Sequence, residues 1–288
     1  MIVVTGATGQ LGRLVIDQLV KTTEAKSIIA AVRAPTKAKG LAGRGVQVRA
    51  ADYSRPETLA AAFDGASRLL LISGSELGRR EEQHKAVIDA AKSAGVTFVA
   101  YTSLLHCDIS PVMLAREHLA TELYLQSSGL TYSLLRNGWY FENHTAAIPQ
   151  AIQNGAFIGA SGDGRFAAAS RADYAAAAAA ILTEKGHENS ILELGGDQPY
   201  TRAELAAEVS RQTGKLVHYN NLSETNYKNI LSSFLPAVLA EAIADAEAHA
   251  AQGALEDSSH TLSRLLGRPT ASLAEAGASA ITTPPPAH

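Results

Sequence analysis

Short apolar runs alternate with amphipathic stretches through the first half of the chain. Aliphatic and β-branched runs of this length are typical of strands buried in a parallel sheet. They occur at Ile2–Thr5, Ser27–Arg33, Val46–Ala50, Arg68–Ser73, Val96–Ser103 and Thr131–Arg136. Helical spacing of apolar residues occurs between them, at Leu11–Lys21, Pro56–Phe63, Arg79–Ala94 and Val112–Ser128. This alternation predicts an α/β fold, with a doubly wound parallel sheet and helices on both faces.

Helical patterns predominate in the second half of the chain. Helices are predicted at Arg171–Glu184 and Asp257–Leu266, and strands at Ile191–Gly195 and Leu216–Leu222. Thr201 precedes Glu204 by three residues, which predicts a capping box at the start of a helix. Ser223 is a second candidate helix cap.

The change of pattern predicts two parts. Residues 1–150 would form the domain of the parallel sheet. Residues 151–281 would form a smaller α/β lobe, interleaved with the last sheet strands and covering the carboxyl edge of the sheet. Residues 282–288 contain three consecutive prolines, which predict a disordered tail.

Composition narrows the function classes. The 25 basic and 28 acidic residues give a net charge of −3, which argues against nucleic acid as the partner. A single cysteine excludes an internal disulfide. No apolar run reaches the roughly 18 residues of a membrane-spanning helix, and the N-terminus has no signal-peptide pattern. We therefore expect a cytoplasmic protein without an integral membrane segment.

The most specific motif is a glycine-rich turn after the first strand, Thr5-Gly6-Ala7-Thr8-Gly9-Gln10-Leu11-Gly12. Gly6 permits a tight turn, Gly9 lets the backbone approach a pyrophosphate, and Gly12 lets the following helix pack close to the sheet. The N–H groups at the helix N-terminus then face the phosphates. This context predicts a Rossmann-like dinucleotide site, although the same glycines could serve a purely structural turn.

Arg33 ends the second predicted strand, where a coenzyme without a 2′-phosphate usually meets Asp or Glu. An arginine can bind a 2′-phosphate, so we expect NADPH as the coenzyme. A solvated surface arginine is the alternative. Ser73, Gly74 and Ser75 follow the next buried run, and small residues there leave room for a ribose and a pyrophosphate.

The residues for ordinary carbonyl reduction are missing. Short-chain dehydrogenases use a Tyr-x-x-x-Lys pair as the acid, and none of the nine tyrosines has a lysine four residues later. An acceptor that needs little proton assistance, such as a quinone, is therefore favoured. The consecutive His106, Cys107 and Asp108 do not predict a nucleophilic triad, because neighbouring side chains generally point apart. The histidines show no metal-binding spacing, so no metal is expected.

Several motifs together resemble one family. They are Thr5–Gly12, Tyr101–His106, Leu135–Tyr140, Gly162–Gly164 and Arg171–Tyr174. They look like the bacterial NADPH-dependent quinone oxidoreductase 2 proteins, which belong to the NmrA-like, atypical branch of the short-chain dehydrogenase/reductase superfamily. Triphenylmethane reductases are near relatives. The resemblance covers the whole chain apart from about the last dozen residues.

The resemblance implies NADPH-dependent reduction of quinones to hydroquinones by hydride transfer, with no catalytic acid side chain. It implies three groups of cofactor contacts besides Arg33. They are Gly6, Ala7, Thr8, Gly9, Gln10 and Leu11 at the pyrophosphate, Ser73, Gly74 and Ser75 along the cofactor, and Asn137, Gly138, Trp139, Tyr140, Phe141 and Glu142 beside the nicotinamide and the quinone. Leu123 is a departure, because relatives of this branch often have lysine after the glutamate of His118-x-x-x-Glu122.

Alternatives remain open at this point. Trp139, Tyr140 and Phe141 could form a stacking wall for a flat ring or simply pack in a core. The chain could also be an NADP(H)-binding redox sensor that acts through a protein partner, or a reductase of triphenylmethane-type dyes. A homodimer is a possible oligomeric state.

Overall fold

The fold is built on a seven-stranded sheet. The computed structural model describes residues 1–282. In the sheet the strand order is β3-β2-β1-β4-β5-β6-β8, and all pairs from β3 to β6 are parallel. The strands are β1 (Ile2–Thr5), β2 (Ile28–Val32), β3 (Gln47–Ala50), β4 (Arg68–Leu71), β5 (Phe98–Leu104), β6 (Thr131–Asn137) and β8 (Ser190–Leu194). The doubly wound α/β fold predicted from the alternating pattern is therefore confirmed.

The connections between these strands are helical. The α-helices before β8 are α1 (Gln10–Leu19), α2 (Lys39–Ala42), α3 (Leu59–Phe63), α4 (Arg80–Ser93), α5 (Ala115–Ser127), α6 (Phe141–Thr145), α7 (Ile148–Asn154) and α8 (Arg171–Thr183). Strands β1, β2 and β5 are buried along their whole length. Burial on both faces explains why they read as continuous apolar runs rather than as alternating ones.

The remaining elements include a two-stranded parallel sheet formed by β7 (Ala156–Gly159) and β9 (His218–Asn221). The later helices are α9 (Arg202–Thr213), α10 (Glu224–Leu231), α11 (Ala237–Ala250), α12 (Thr261–Leu266) and α13 (Leu273–Thr282). The capping box of Thr201 and Glu204 and the cap at Ser223 are both confirmed. The predicted helix at Asp257–Leu266 begins only at Thr261.

The chain divides into two compact units. The first unit contains Met1–Leu104, Arg116–Asn137 and Tyr174–Leu192, and the second contains Leu105–Ala115, Gly138–Asp173 and the described residues from Glu193 onward. The division lies at Gly138 rather than at the predicted residue 150, and the chain returns to the first unit for most of α8 and β8. Thr282, placed in the tail by the sequence, ends α13, and residues 283–288 lie outside the described part.

Candidate functional site

Strand order brings the predicted cofactor residues of the first unit to one edge of the sheet. Strand β1 lies between β2 and β4, so the glycine turn after β1 is flanked by Arg33 after β2 and by Ser73 after β4. From β1 the strand order continues through β2 to β3 in one direction, and from β4 it continues through β5 to β6 in the other, so the order reverses between β1 and β4. Ligands of doubly wound sheets bind at the carboxyl ends of the strands at this reversal.

The turn between β1 and α1 leaves a helix end open to an anion. Gly6 adopts a φ of +58°, in the left-handed region, and its carbonyl accepts a 2.9 Å hydrogen bond from the Gly9 N–H. Gly9 is the N-cap of α1, where no side chain within residues 1–282 caps the helix and the first turn contains no acidic residue. Such an end presents several backbone N–H groups and a partial positive charge.

Gly12 is required by packing. A Cβ at this position would lie 2.4 Å from the Gly6 carbonyl oxygen, far inside van der Waals contact. The first turn of α1 can therefore approach the end of β1 only because residue 12 has no side chain. These features of the turn fit the pyrophosphate of a dinucleotide.

Arg33 belongs to a charged cluster at the same edge. Its Nη1 lies 3.3 Å from Oε1 of Glu76, in the loop after β4. Oε2 of Glu76 accepts a 3.0 Å hydrogen bond from Nε2 of the buried Gln83 and lies 3.7 Å from Nη1 of Arg79. The side chain of Arg33 is 68% exposed, so its guanidinium is accessible to a ligand from solvent.

The loop Ser73–Ser75 is held by side chains from neighbouring elements. The Ser73 N–H donates to Oγ1 of Thr102 at 2.9 Å, and the Gly74 N–H donates to Nε2 of His84 at 2.9 Å. The carbonyl of Gly74 accepts a 2.6 Å hydrogen bond from Nε of Arg80. Arg80 therefore supports this loop.

His84 is neutral in the folded protein. Burial, with a smaller contribution from the charge of Arg80, lowers the pKa of His84 to about 3. Its Nδ1 lies 3.0 Å from Oγ1 of Thr121, and that hydroxyl donates to the Glu117 carbonyl. Because Nε2 accepts from Gly74, the proton of the neutral ring resides on Nδ1 and is donated to Thr121.

Tyr53 joins the ends of β1 and β4. Its hydroxyl forms a hydrogen bond with Oγ1 of Thr5 and donates one to the carbonyl of Ile72 at 2.9 Å. Burial raises the pKa of Tyr53, so the phenol stays protonated at neutral pH. Its ring also contacts His84 edge-on, which links the support of the glycine turn to that of the Ser73–Ser75 loop.

The titratable side chains between α5 and the carboxyl ends of β5 and β6 are already engaged. Glu122 accepts hydrogen bonds from Oγ of Ser103 and from Nε and Nη2 of Arg136, at 3.0 and 2.7 Å for the arginine. Nδ1 of His118 lies 2.8 Å from the hydroxyl of Tyr101, and burial lowers the pKa of His118 well below its ordinary value. A buried ion pair and a neutral imidazole are poor proton donors near neutral pH.

The segment Asn137–Glu142 continues from β6 into the second unit. Asn137 is the last residue of β6, and Gly138 donates its N–H to the Leu194 carbonyl at 2.9 Å. The guanidinium of Arg171 lies over the Tyr140 ring at 4.6 Å, and Glu142 accepts from the Arg171 backbone N–H at 3.0 Å.

The three aromatic residues of this segment have different environments. Phe141 is only 2% exposed and stacks on Tyr200 with ring centroids 5.4 Å apart, so its side chain packs in the core of the second unit. Trp139 and Tyr140 are half-buried. Trp139 packs against the same core, and the guanidinium of Arg171 lies over the Tyr140 ring.

Sequence reasoning missed Glu76, His84 and Tyr53. All three are ordinary loop or helix residues in the sequence. Glu76 and Tyr53 contact residues distant in the chain, and His84 binds the loop that precedes its own helix. The nearest signal was the position of Tyr53, three residues after the end of the third strand. Leu123, the departure from the family pattern, is 57% exposed on α5.

Comparisons with known proteins give one consistent picture. The sequence profile of the NmrA-like family matches residues 1–268. Quinone oxidoreductase 2 of Escherichia coli (strain K12) is 54% identical over 276 residues, covering 96% of each chain.

Two solved structures are similar throughout. The NADPH-dependent quinone oxidoreductase of Escherichia coli, crystallised with NADPH, matches with a TM-score of 0.95 at 53% identity, covering 98% of this chain and all (100%) of that one. Triphenylmethane reductase of Citrobacter sp., crystallised with NADP(H), matches with a TM-score of 0.93 at 39% identity, covering 97% of this chain and 100% of the other.

Proposed function

The chain belongs to the NmrA-like family, and on that premise we propose that it is an NADPH-dependent quinone oxidoreductase. The observation that carries the proposal is its similarity, over nearly the whole chain, to quinone oxidoreductase 2 of Escherichia coli. The open N-terminus of α1 and the accessible Arg33 support the same coenzyme from the geometry of the first unit.

Each group of predicted cofactor residues has a distinct role in this proposal. The backbone N–H groups of the turn from Gly6 to Leu11 bind the pyrophosphate, and Arg33 binds the 2′-phosphate. The loop Ser73–Ser75 lines the cofactor, held by His84 and Arg80. Asn137–Glu142 contribute the predicted contacts to the nicotinamide and the quinone, with Phe141 acting through its backbone because its side chain packs on Tyr200.

Bound NADPH supplies a hydride equivalent to the acceptor. The residues of this chain bind and orient the coenzyme, and no side chain is required to donate a proton. The hydrogen-bonded Glu122–Arg136 pair and the neutral His118 fit this reading. A quinone suits such a site because water can protonate the oxygen that becomes negative after hydride transfer.

A triphenylmethane-type dye is the second candidate acceptor, because the reductase of Citrobacter sp. shares the fold throughout. A cationic dye also needs no proton when it accepts hydride at carbon. The two acceptors are separated by competition at fixed NADPH.

The test is turnover of purified protein with NADPH and either menadione or malachite green, followed by the absorbance of the reduced nicotinamide and of the dye. We expect a higher kcat/KM with the quinone than with the dye. NADPH binding without turnover of either acceptor would overturn the proposal and favour a redox sensor.

Some attributes of this function stay predictions. Among the helices of residues 1–282, none combines the length and apolar content that crossing a membrane requires. A cytoplasmic location and a homodimer stay predictions. Size-exclusion chromatography with light scattering measures the oligomeric state directly.

A further inference from the structure

The carboxylate of Glu76 forms an ion pair with Arg33, whose guanidinium would bind the 2′-phosphate. Oε1 of Glu76 lies 3.3 Å from Nη1 of Arg33, within an ordinary ion pair. The two residues follow β2 and β4, the strands on either side of β1. A carboxylate therefore lies at the place where the coenzyme would bring a phosphate.

The position of Glu76 is determined by the fold. Its Oε2 accepts a 3.0 Å hydrogen bond from Gln83, whose side chain is buried on α4. Nε2 of Gln83 also donates to Oγ of Ser54 at 2.9 Å, which fixes the amide from the other side. The carboxylate is therefore held toward Arg33 by a buried partner, unlike a surface glutamate that pairs by chance.

Two opposite effects on coenzyme binding follow from this arrangement. A 2′-phosphate carries between one and two negative charges, so it is repelled by Glu76 and competes with it for Arg33. A carboxylate at the same place can accept a hydrogen bond from the free 2′-hydroxyl of NADH. The pair thus combines a group that favours NADPH with one that favours NADH.

We propose that Glu76 is a coenzyme-specificity residue that reduces the preference of this protein for NADPH over NADH. The proposal rests on the proposed function, because it assigns a role at the same coenzyme site. Arg33 makes NADPH the preferred coenzyme, and Glu76 limits that preference by competing for the guanidinium. The opposing charge of Arg79, 3.7 Å from Oε2, partly neutralises Glu76 without removing the competition.

The test uses Glu76→Gln, which removes the charge but keeps an amide oxygen that can accept from Gln83. The probes are adenosine 2′,5′-bisphosphate and adenosine 5′-monophosphate, because they differ only in the 2′-phosphate. Dissociation constants are measured by calorimetry at constant ionic strength. Glu82→Gln is the matched control, since Glu82 pairs with Arg79 at 3.9 Å and is 80% exposed.

We expect Glu76→Gln to tighten binding of the bisphosphate by about fivefold. This is the effect of removing one partly exposed like charge near a phosphate. Binding of the monophosphate changes by less than about twofold, and Glu82→Gln leaves the ratio of the two constants near that of the wild type. In kinetics, the ratio of kcat/KM for NADPH to that for NADH rises by a similar factor.

Three results would overturn the inference. Equal tightening of both probes would mean a general charge effect, and no change would mean that Glu76 is a bystander. Weaker binding of the bisphosphate would mean that Glu76 orients Arg33 for the phosphate. Failure of the wild type to bind NADPH at all would instead contradict the proposed function, so the two failures are distinguishable.

Discussion

The backbone N–H of Gly74 donates a 2.9 Å hydrogen bond to Nε2 of His84, a fully buried side chain on α4. This bond fixes a loop at the carboxyl end of β4 through an imidazole that has no exposed surface. The loop conformation therefore depends on the neutral state of His84 and on its second partner, Thr121.

His84→Ala should weaken coenzyme binding because the Gly74 N–H loses its acceptor and the loop loses its fixed conformation. We expect the KM for NADPH to rise by several-fold with a smaller change in kcat, and stability to fall by about 1–3 kcal/mol. Steady-state kinetics and urea denaturation measure the two effects. The exposed His218 provides the control as His218→Ala, and unchanged KM in His84→Ala would show that the loop does not contact the coenzyme.

Gly12→Ala tests the close approach of α1 to the end of β1. The added Cβ would clash with the Gly6 carbonyl oxygen, so the turn must shift. We expect loss of NADPH binding and a stability decrease of about 1–3 kcal/mol, the usual cost of overpacking. In the control, Gly40→Ala, the new Cβ meets no atom within 4 Å. Normal NADPH affinity in Gly12→Ala would contradict the role of the turn.

The lowered pKa values of the buried histidines should make the protein less stable in mild acid. The pKa of His84 is about 3 in the folded protein and near 6.5 in the unfolded chain, so only the unfolded chain binds a proton at about pH 5. The free energy of unfolding therefore falls as the pH drops below 6.5, by about 2 kcal/mol at pH 5 from His84 alone. Burial lowers the pKa values of His118 and His144 as well, so both act in the same direction.

His106 acts in the opposite direction, because its hydrogen bond with Glu193 raises its pKa. Its ring is partly exposed, so we expect the buried histidines to dominate. Urea denaturation at about pH 7 and pH 5 measures the difference. Equal or greater stability at the lower pH would contradict this account.

The pair of Glu122 and Arg136 provides a further test, because both side chains are almost completely buried, at 2% and 6% exposure. Arg136→Met leaves the carboxylate without its countercharge and should lower the free energy of unfolding by about 3–5 kcal/mol. Adding Glu122→Gln should recover part of that loss. If the double variant were less stable than Arg136→Met, the unpaired charge would not be the cause.

Local patterns were sufficient to predict the sheet and to propose one edge of the candidate site. The glycine turn and Arg33 follow directly from short-range signals, namely an apolar strand followed by a tight turn or by a charged residue. The boundary of the first unit could not be predicted in this way. Residues Tyr174–Leu192 return to it after an excursion through the second unit, and no local pattern gives the bounds of such a return.

The contacts that hold the candidate site together were also beyond the sequence. Glu76 reaches Arg33 only because parallel strands place their carboxyl ends at one edge, and His84 reaches Gly74 because α4 packs against the loop that precedes it. The aromatic residues after β6 show the same limit, since their type left a stacking wall and core packing open, and the fold places Phe141 in a core. Burial of individual side chains is set by tertiary packing, which sequence periodicity describes only on average.

Calorimetric titration of the purified protein and its Arg33→Ala variant with NADPH and NADH measures directly whether Arg33 binds the 2′-phosphate. We expect the wild type to bind NADPH more tightly than NADH. Arg33→Ala should weaken NADPH binding by about tenfold or more and change NADH binding little, since only the 2′-phosphate contact is lost. No heat of binding with NADPH, or an equal loss for both coenzymes in the variant, would contradict this expectation.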